Sequence, residues 1–374
     1  MREVIQKYWD NPENLPGKDM KVSYIAEDNP LGTGGVLFFL KDVMEDDFLL
    51  LNGDIIFDVD LERFWQVHRE NCRKGALATI FVHPNQHPYD SSLIVTDTEG
   101  CVKRWLSKEE PREWHKNRVN AGIHFLSPEI FTYLESKGLL IKEEKLDLDR
   151  DILKLLMKEG KLYIYESPEY VKDMGTPERY RQVEEDILEK RLEKRNLHMM
   201  QKAVFLDRDG TINEYVGFLK NTEEFHLLPG AAEAVRLMNE KGYLVIVVTN
   251  QPVVARGEVT EEELERIHCK METLLGMDGA YVDALYYCPH HPDRGYEGEV
   301  TELKTECSCR KPKAGMLLKA SEKYNIDLGN SWMVGDSMID MQAGKAAGCH
   351  TAGVYGCQGE DGAFETLLDF AKFL

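Results

Sequence analysis

The chain has 374 residues, 43% hydrophobic and 30% charged, a balance suited to folded α/β domains and long enough for two ordinary cores. Its formal net charge of −20 argues against a nucleic-acid partner, because phosphate backbones are bound by clustered Lys and Arg. The first residues contain no apolar signal core and no apolar stretch is long enough to span a bilayer, so a cytoplasmic protein with no membrane partner is expected.

In chain order, the first informative stretch is Gly32-Thr33-Gly34-Gly35, a glycine-rich turn of the kind that can present backbone N–H groups to phosphate when a helix follows. Phe48–Leu51 then reads as a short buried strand, tipped by Asn52, Gly53 and Asp54. Further on come Val119-Asn120-Ala121-Gly122-Ile123 and Lys172-Asp173-Met174-Gly175-Thr176-Pro177. Together these segments resemble the sugar-1-phosphate nucleotidyltransferases. The resemblance implies a glycosyltransferase A-like α/β domain over residues 1–185. In it Asp54 and Asp173 would hold Mg²⁺, and Gly32, Thr33, Gly34, Gly35, Asn120 and Gly122 would line a nucleotide-sugar pocket. Members of that family open with a strand, a Gly-x-Gly-x-Arg loop over the triphosphate and a downstream lysine, a unit not found ahead of Gly32. The domain is therefore expected to be incomplete, its site vestigial and its nucleotidyl transfer weak or absent.

Residues 184–195 alternate charge signs along a helical pattern, and residues 186–200 are expected to be a solvated charged linker. Beyond it, residues 201–374 form the second predicted domain.

That domain opens with Lys202-Ala203-Val204-Phe205-Leu206-Asp207-Arg208-Asp209-Gly210-Thr211, an apolar run delivering two carboxylates to the end of a buried parallel strand. Two close carboxylates repel, so an ionised Asp207 calls for a cation such as Mg²⁺, leaving Asp209 able to hold a proton. A second apolar run, Tyr243–Val248, ends in Thr249-Asn250-Gln251, and a third, Trp332–Val334, ends in Gly335-Asp336-Ser337, with Asp340 following. Between them Arg310-Lys311-Pro312 places a basic pair in a loop that proline keeps from becoming helix. Carboxylates, a hydroxyl and a lysine in this order suit a metal-assisted aspartyl-phosphate mechanism.

The pattern Cys288-x-His290 followed by Cys307-x-Cys309 supplies four soft ligands for a closed tetrahedral Zn²⁺ site of structural type. Cys309 directly precedes Arg310 and Lys311, so a metal there would fix where both cations point.

Residues 201 to about 357 resemble the haloacid dehalogenase superfamily, in the branch of heptose-bisphosphate and histidinol-phosphate phosphatases, a Rossmann-like fold with a zinc loop. The resemblance implies that Asp207 attacks phosphorus and that Asp209 serves as general acid and base. Thr249 would bind the phosphoryl oxygens, Lys311 would neutralise charge, and Asp207, the carbonyl of Asp209 and Asp336 would hold Mg²⁺. Asn250, Arg310 and Arg256 are candidate substrate contacts, since Ala255-Arg256-Gly257 resembles the heptose enzymes. A nucleotidyltransferase joined to a heptose-bisphosphate phosphatase would catalyse consecutive steps, which favours heptose over histidinol phosphate. The alternative is a histidinol-phosphate or other small-phosphomonoester phosphatase whose N-terminal half only docks or oligomerises.

Overall fold

Short apolar runs alternating with amphipathic helices build two sheet-centred units in the computed structural model, which describes residues 2–374 apart from 16, 18, 28, 142 and 143. The expected first domain thus begins at a residue outside those described. No helix among the described residues is long and apolar enough to cross a membrane.

The N-terminal unit contains β1 (Phe48–Leu51), β2 (Ile55–Asp58), β3 (Ala78–His83), β4 (Leu93–Thr96), β5 (Val102–Leu106), β6 (Val119–Leu126), β7 (Leu162–Glu166) and β8 (Tyr170–Asp173). Its mixed sheet runs β5-β4-β6-β3-β7, with β1 also paired to β6, while β2 and β8 form a separate antiparallel ribbon. One sheet face packs Ile80, Leu126, Ile152 and Leu156; the other packs aromatic rings, with Phe64 stacked 4.8 Å from Tyr165. Phe64 is brought there by the helix Leu61–Arg73, whose first turn is capped by Asp60 accepting from the Arg63 N–H.

The glycine turn is used internally. The Gly34 N–H donates to the Leu146 carbonyl at 2.8 Å and Thr33 Oγ1 accepts from the Leu148 N–H, so the turn is a docking point for residues 146–148. A Cβ at Gly32, which has φ of 80°, would lie 2.6 Å from the Leu146 oxygen, so close backbone approach accounts for a glycine there. The helix that follows, Leu37–Leu40, is a single turn.

The charged stretch departs from a simple solvated connector. The helix Pro177–Leu188 stops, Lys190 adopts a left-handed φ of 57°, and a short helix Arg191–Arg195 follows. Asp186 is buried, accepting from the Tyr170 hydroxyl at 2.7 Å and pairing with Arg191 at 3.1 Å. Arg195 pairs with buried Asp283 at 3.1 Å and donates to the Tyr281 hydroxyl. Alternating charge therefore serves here to tie the segment to both units, a use that requires partners distant in sequence.

The C-terminal unit contains β9 (Ala203–Leu206), β10 (Leu244–Asn250), β11 (Ala284–Cys288), β12 (Trp332–Gly335), β13 (His350–Val354) and β14 (Gly362–Phe364). All pair in parallel in the order β11-β10-β9-β12-β13-β14. Helices cover both faces, with separate apolar clusters on each, which explains why β9 is a continuous apolar run rather than an alternating one. The chain leaves β9 toward β10 on one side and returns to β12 on the other. Such a reversal opens a crevice at the carboxyl ends of these three strands.

The two units meet along the helix Glu261–Met277. The His115 N–H donates to Thr273 Oγ1 at 2.9 Å, and the Asn117 N–H donates to Glu272 Oε2 at 2.8 Å. Buried Arg118 lies between Glu166 and Glu272. Glu272 is thus a buried acid of one unit that finds its donors in the other.

Candidate active site

The crevice gathers the polar tips of β9, β10 and β12. Asp207 follows β9 and extends its pairing to β12, its N–H donating to the Val334 carbonyl at 3.0 Å. Its carboxylate accepts from Lys311 Nζ at 2.7 Å. Asp340 Oδ1 lies 2.6 Å from the same ammonium, in an ion pair whose angle falls outside hydrogen-bond geometry. Lys311 is 2% exposed, so its ammonium is largely screened from solvent and held by these two carboxylates. Burial pushes Asp207 up to about 7, with Asp340 adding to the rise and Lys311 opposing it. Burial and Asp340 likewise raise Asp336.

Asp336 faces Asp207 across Gly210. A Cβ at Gly210, where φ is 84°, would sit 2.1 Å from Asp336 Oδ2, so only glycine lets this loop close onto the β12 tip. Ligand oxygens of Asp207, Asp336 and Asp340 lie within 4.8 Å of one another. One buried lysine does not offset this charge, and a hard divalent cation with oxygen ligands fits the donor set.

Asp209 is built differently from its neighbour. It accepts from Arg208 Nη2 at 2.8 Å, from Asn213 Nδ2 at 3.0 Å and from Gln251 Nε2 at 2.7 Å. Burial would raise its pKa, but Arg208 and these amide donors outweigh burial and hold it below the ordinary carboxylate range. In this geometry these donors favour the ionised form of Asp209 over the proton-holding form. Gln251 also donates to Thr249 Oγ1 at 2.9 Å, which joins the β10 tip to the β9 tip.

Asn250 holds the lysine loop through both amide atoms: its Nδ2 donates to the Lys311 carbonyl and its Oδ1 accepts from the Lys311 N–H, each at 3.0 Å. A cavity of about 350 Å³ opens over Asp207, Asp209, Thr249, Arg310, Lys311 and Asp336, with Asn250 also at its wall. Arg256 is not in the lining. Its guanidinium is sandwiched 4.1 Å from the Phe218 ring and 4.6 Å from Tyr296, and it reaches the cavity only through Phe218, which does line it.

Cys288, His290, Cys307 and Cys309 converge behind the lysine loop. The Sγ separations are 3.2 Å from Cys309 to each of Cys288 and Cys307, and 3.5 Å between Cys288 and Cys307. His290 Nδ1 is 3.4 Å from Cys309 Sγ and 3.6 Å from Cys288 Sγ. Those sulfur spacings are far beyond a disulfide bond of about 2.05 Å, and they approach the edges of a tetrahedron around a zinc ion with Zn–S of about 2.3 Å. Arg310 Nη1 donates to the His290 carbonyl at 3.2 Å, coupling the cluster to the basic pair.

In the N-terminal unit Asp54 and Asp173 flank Gly175, whose added Cβ would lie 3.7 Å from one carboxylate and 3.3 Å from the other. Asp173 is gripped at both oxygens by Arg179, at 2.8 and 3.0 Å. Gly122 packs on Asn52, and Asn120 Oδ1 lies 3.2 Å from His124 Nε2. Gly32–Gly35 are anchored on residues 146–148 as described, with Thr33 in the same contact.

Two residues named in the sequence without a role are used by the site. Asp340 sits four positions after Asp336 and holds the far side of Lys311; the Gly-Asp-x-x-x-Asp spacing across a helix start carried that signal. Gln251 gave no signal, because its action depends on two strands lying side by side.

The nucleotidyl transferase family model matches residues 2–190, and the haloacid dehalogenase-like hydrolase model matches residues 150–348. A D-glycero-β-D-manno-heptose-1,7-bisphosphate 7-phosphatase from Vibrio cholerae is 43% identical over 153 residues, covering 41% of this chain and 80% of that protein. The enzyme of the same description from Escherichia coli K12 is 43% identical over 149 residues, covering 40% and 76%. Among solved structures, a D,D-heptose 1,7-bisphosphate phosphatase from B. bronchiseptica, complexed with magnesium and phosphate, is 34% identical, with 46% of this chain and 97% of that chain covered and a TM-score of 0.41.

Proposed function

The chain belongs to the haloacid dehalogenase-like hydrolases and, over its N-terminal half, to the nucleotidyl transferase family, and from this premise we propose that it removes the 7-phosphate of D-glycero-D-manno-heptose 1,7-bisphosphate, leaving heptose 1-phosphate. It is a phosphoric monoester hydrolase. The observation that carries the reading is the buried Asp207–Lys311–Asp340 chain facing Asp336 at the ends of three parallel strands.

In this reading an Asp207 oxygen bonds to phosphorus while the bond from phosphorus to the sugar oxygen breaks, giving an aspartyl-phosphate. Asp209 takes up a proton when the substrate's phosphate brings negative charge beside it, passes that proton to the departing sugar oxygen, then takes one from the water that hydrolyses the intermediate. The acceptor form held by Arg208 and Gln251 is the one needed in the second half. Thr249 and the Lys311 ammonium bind phosphoryl oxygens, and Asn250 keeps Lys311 in position. Asp207, Asp336 and the Asp209 carbonyl would hold Mg²⁺, whose charge offsets the phosphoryl oxygens and favours ionised Asp207. Arg310 serves the substrate's far end, with Arg256 acting through Phe218.

We assign the four-ligand cluster to structural zinc. Cys307→Ser is expected to lose the ion and at least ~10-fold of the phosphatase activity, because the loop carrying Arg310 and Lys311 loosens. Full zinc occupancy in the variant, by elemental analysis, would reject this ligand set.

The N-terminal half is a member of its family in which Arg179 occupies the carboxylate that would otherwise serve a metal. A non-catalytic remnant packed on the phosphatase helix fits that contact. Heptose 1-phosphate is the kind of product a sugar nucleotidyltransferase consumes, which supports a heptose substrate.

Phosphate release from both heptose bisphosphate anomers and from histidinol phosphate tests the assignment. Heptose bisphosphate is expected to win by at least ~100-fold in kcat/KM. Parity, or a preference for histidinol phosphate, would replace the substrate.

A further inference from the structure

Three donors of different kinds meet in the N-terminal unit, well away from both carboxylate sites. His68 and Cys72 lie four residues apart on one side of the helix Leu61–Arg73, and Asp47 comes from the turn entering β1. His68 Nε2 is 3.5 Å from Cys72 Sγ and 3.8 Å from Asp47 Oδ1. A tetrahedral ion with Zn–S of about 2.3 Å and Zn–N of about 2.05 Å sets its sulfur and nitrogen about 3.6 Å apart.

A histidine and a cysteine one helical turn apart are ordinary core packing on their own. Here the surroundings are those of a ligand. The imidazole is fully buried and stacks on Phe125. Its far nitrogen, Nδ1, lies 2.9 Å from Thr79 Oγ1, which also accepts from Asn71 Nδ2 at 3.3 Å. A side-chain oxygen on the far nitrogen is how ligating histidines are usually held, and it turns Nε2 toward the thiol and the carboxylate. Arg69 takes Asp47 Oδ2 at 3.0 Å and leaves Oδ1 on the histidine side. The ring's other nitrogen, Nε2, is the one left facing both the thiol and the carboxylate. Asp47 and Cys72 are partly exposed, so an ion has a path in, and a water would complete its coordination.

We propose that Asp47, His68 and Cys72 form a second divalent-metal site selective for a borderline ion such as zinc, clamping the entry to β1 onto the helix Leu61–Arg73. The mixed oxygen, nitrogen and sulfur donors disfavour Mg²⁺ and Ca²⁺.

The test uses the full-length protein, treated with a mild chelator that leaves four-ligand zinc in place and then titrated with Zn²⁺. The wild type is expected to reach roughly two zinc ions per chain, and Cys72→Ser and Asp47→Asn roughly one. Thr79→Val is expected to bind the second ion at least ~10-fold more weakly. Titration with Co²⁺ should give a thiolate charge-transfer band in the wild type that is weaker in Cys72→Ser. Unchanged phosphatase turnover and circular-dichroism spectra in the variants would show that they are folded. A wild type that stops at one ion, or a second ion retained by either Cys72→Ser or Asp47→Asn, overturns the site.

Discussion

Asp207→Asn is expected to lower phosphate release by at least about 10,000-fold, the scale seen when a covalent nucleophile is removed. The amide has the same shape and fits the same loop, but its oxygen is a poor nucleophile and it brings no negative charge to a cation. Lys311 keeps Asp340 as partner, so the loss should not come from unfolding. Melting temperature and Mg²⁺ dependence of the residual rate separate the two causes. Single-turnover trapping should yield labelled phosphoenzyme in the wild type and none in the variant. Activity within tenfold of wild type would mean that another atom attacks phosphorus, and the reading of the crevice would fail with it.

How far this was legible beforehand depends on the range of the interaction. The runs Ala203–Leu206, Leu244–Val248 and Trp332–Val334 could be read as strands because a parallel sheet covered on both faces demands uninterrupted apolar side chains. Their polar endings then announced the crevice, and the Cys-x-His and Cys-x-Cys spacing announced the soft cluster. What could not be read was set by partners far along the chain. The pull on Asp209 toward its ionised form comes from Arg208 beside it and from Gln251, just beyond the end of β10. Arg256 is taken up by two aromatic rings that sequence spacing does not relate to it. The glycine turn resembles a phosphate cradle in composition, yet its Gly34 N–H is spent on Leu146, more than a hundred residues later. The charged segment resembles a solvated connector until Asp186 meets the buried Tyr170 and Arg195 the buried Asp283.

The same range argument bears on the joint between the two units. Glu272 would be an unfavourable choice on a helix facing its own core, since a buried carboxylate needs donors. Its donors are Arg118 and the Asn117 N–H of the other unit. The phosphatase helix is therefore complete only when the N-terminal unit covers it, whatever chemistry that unit performs.

Lys311→Met is expected to cost about 1,000-fold in kcat, comparable to losing a principal donor that stabilises transition-state charge. Methionine preserves the length and the apolar stem while removing the ammonium. The expected loss has two sources, which different measurements resolve. In the reacting complex the ammonium opposes charge on the phosphoryl group and on Asp207, so kcat falls more than KM rises. In the free protein its removal leaves Asp207 and the fully buried Asp340 without their shared cation. Breaking such a pair from one side costs roughly 3–5 kcal/mol, because a buried charge is left uncompensated. Lys311→Arg should not rescue either effect: the site encloses the ammonium almost completely, and a planar guanidinium is larger and differently directed. The double variant Lys311→Met/Asp340→Asn separates the two sources. It should recover much of the lost stability, since the second substitution removes the orphaned charge, and should recover none of the lost kcat. Restored turnover in the double variant would mean that Lys311 acts only by balancing Asp340, and its place in the phosphoryl-transfer step would have to be given up.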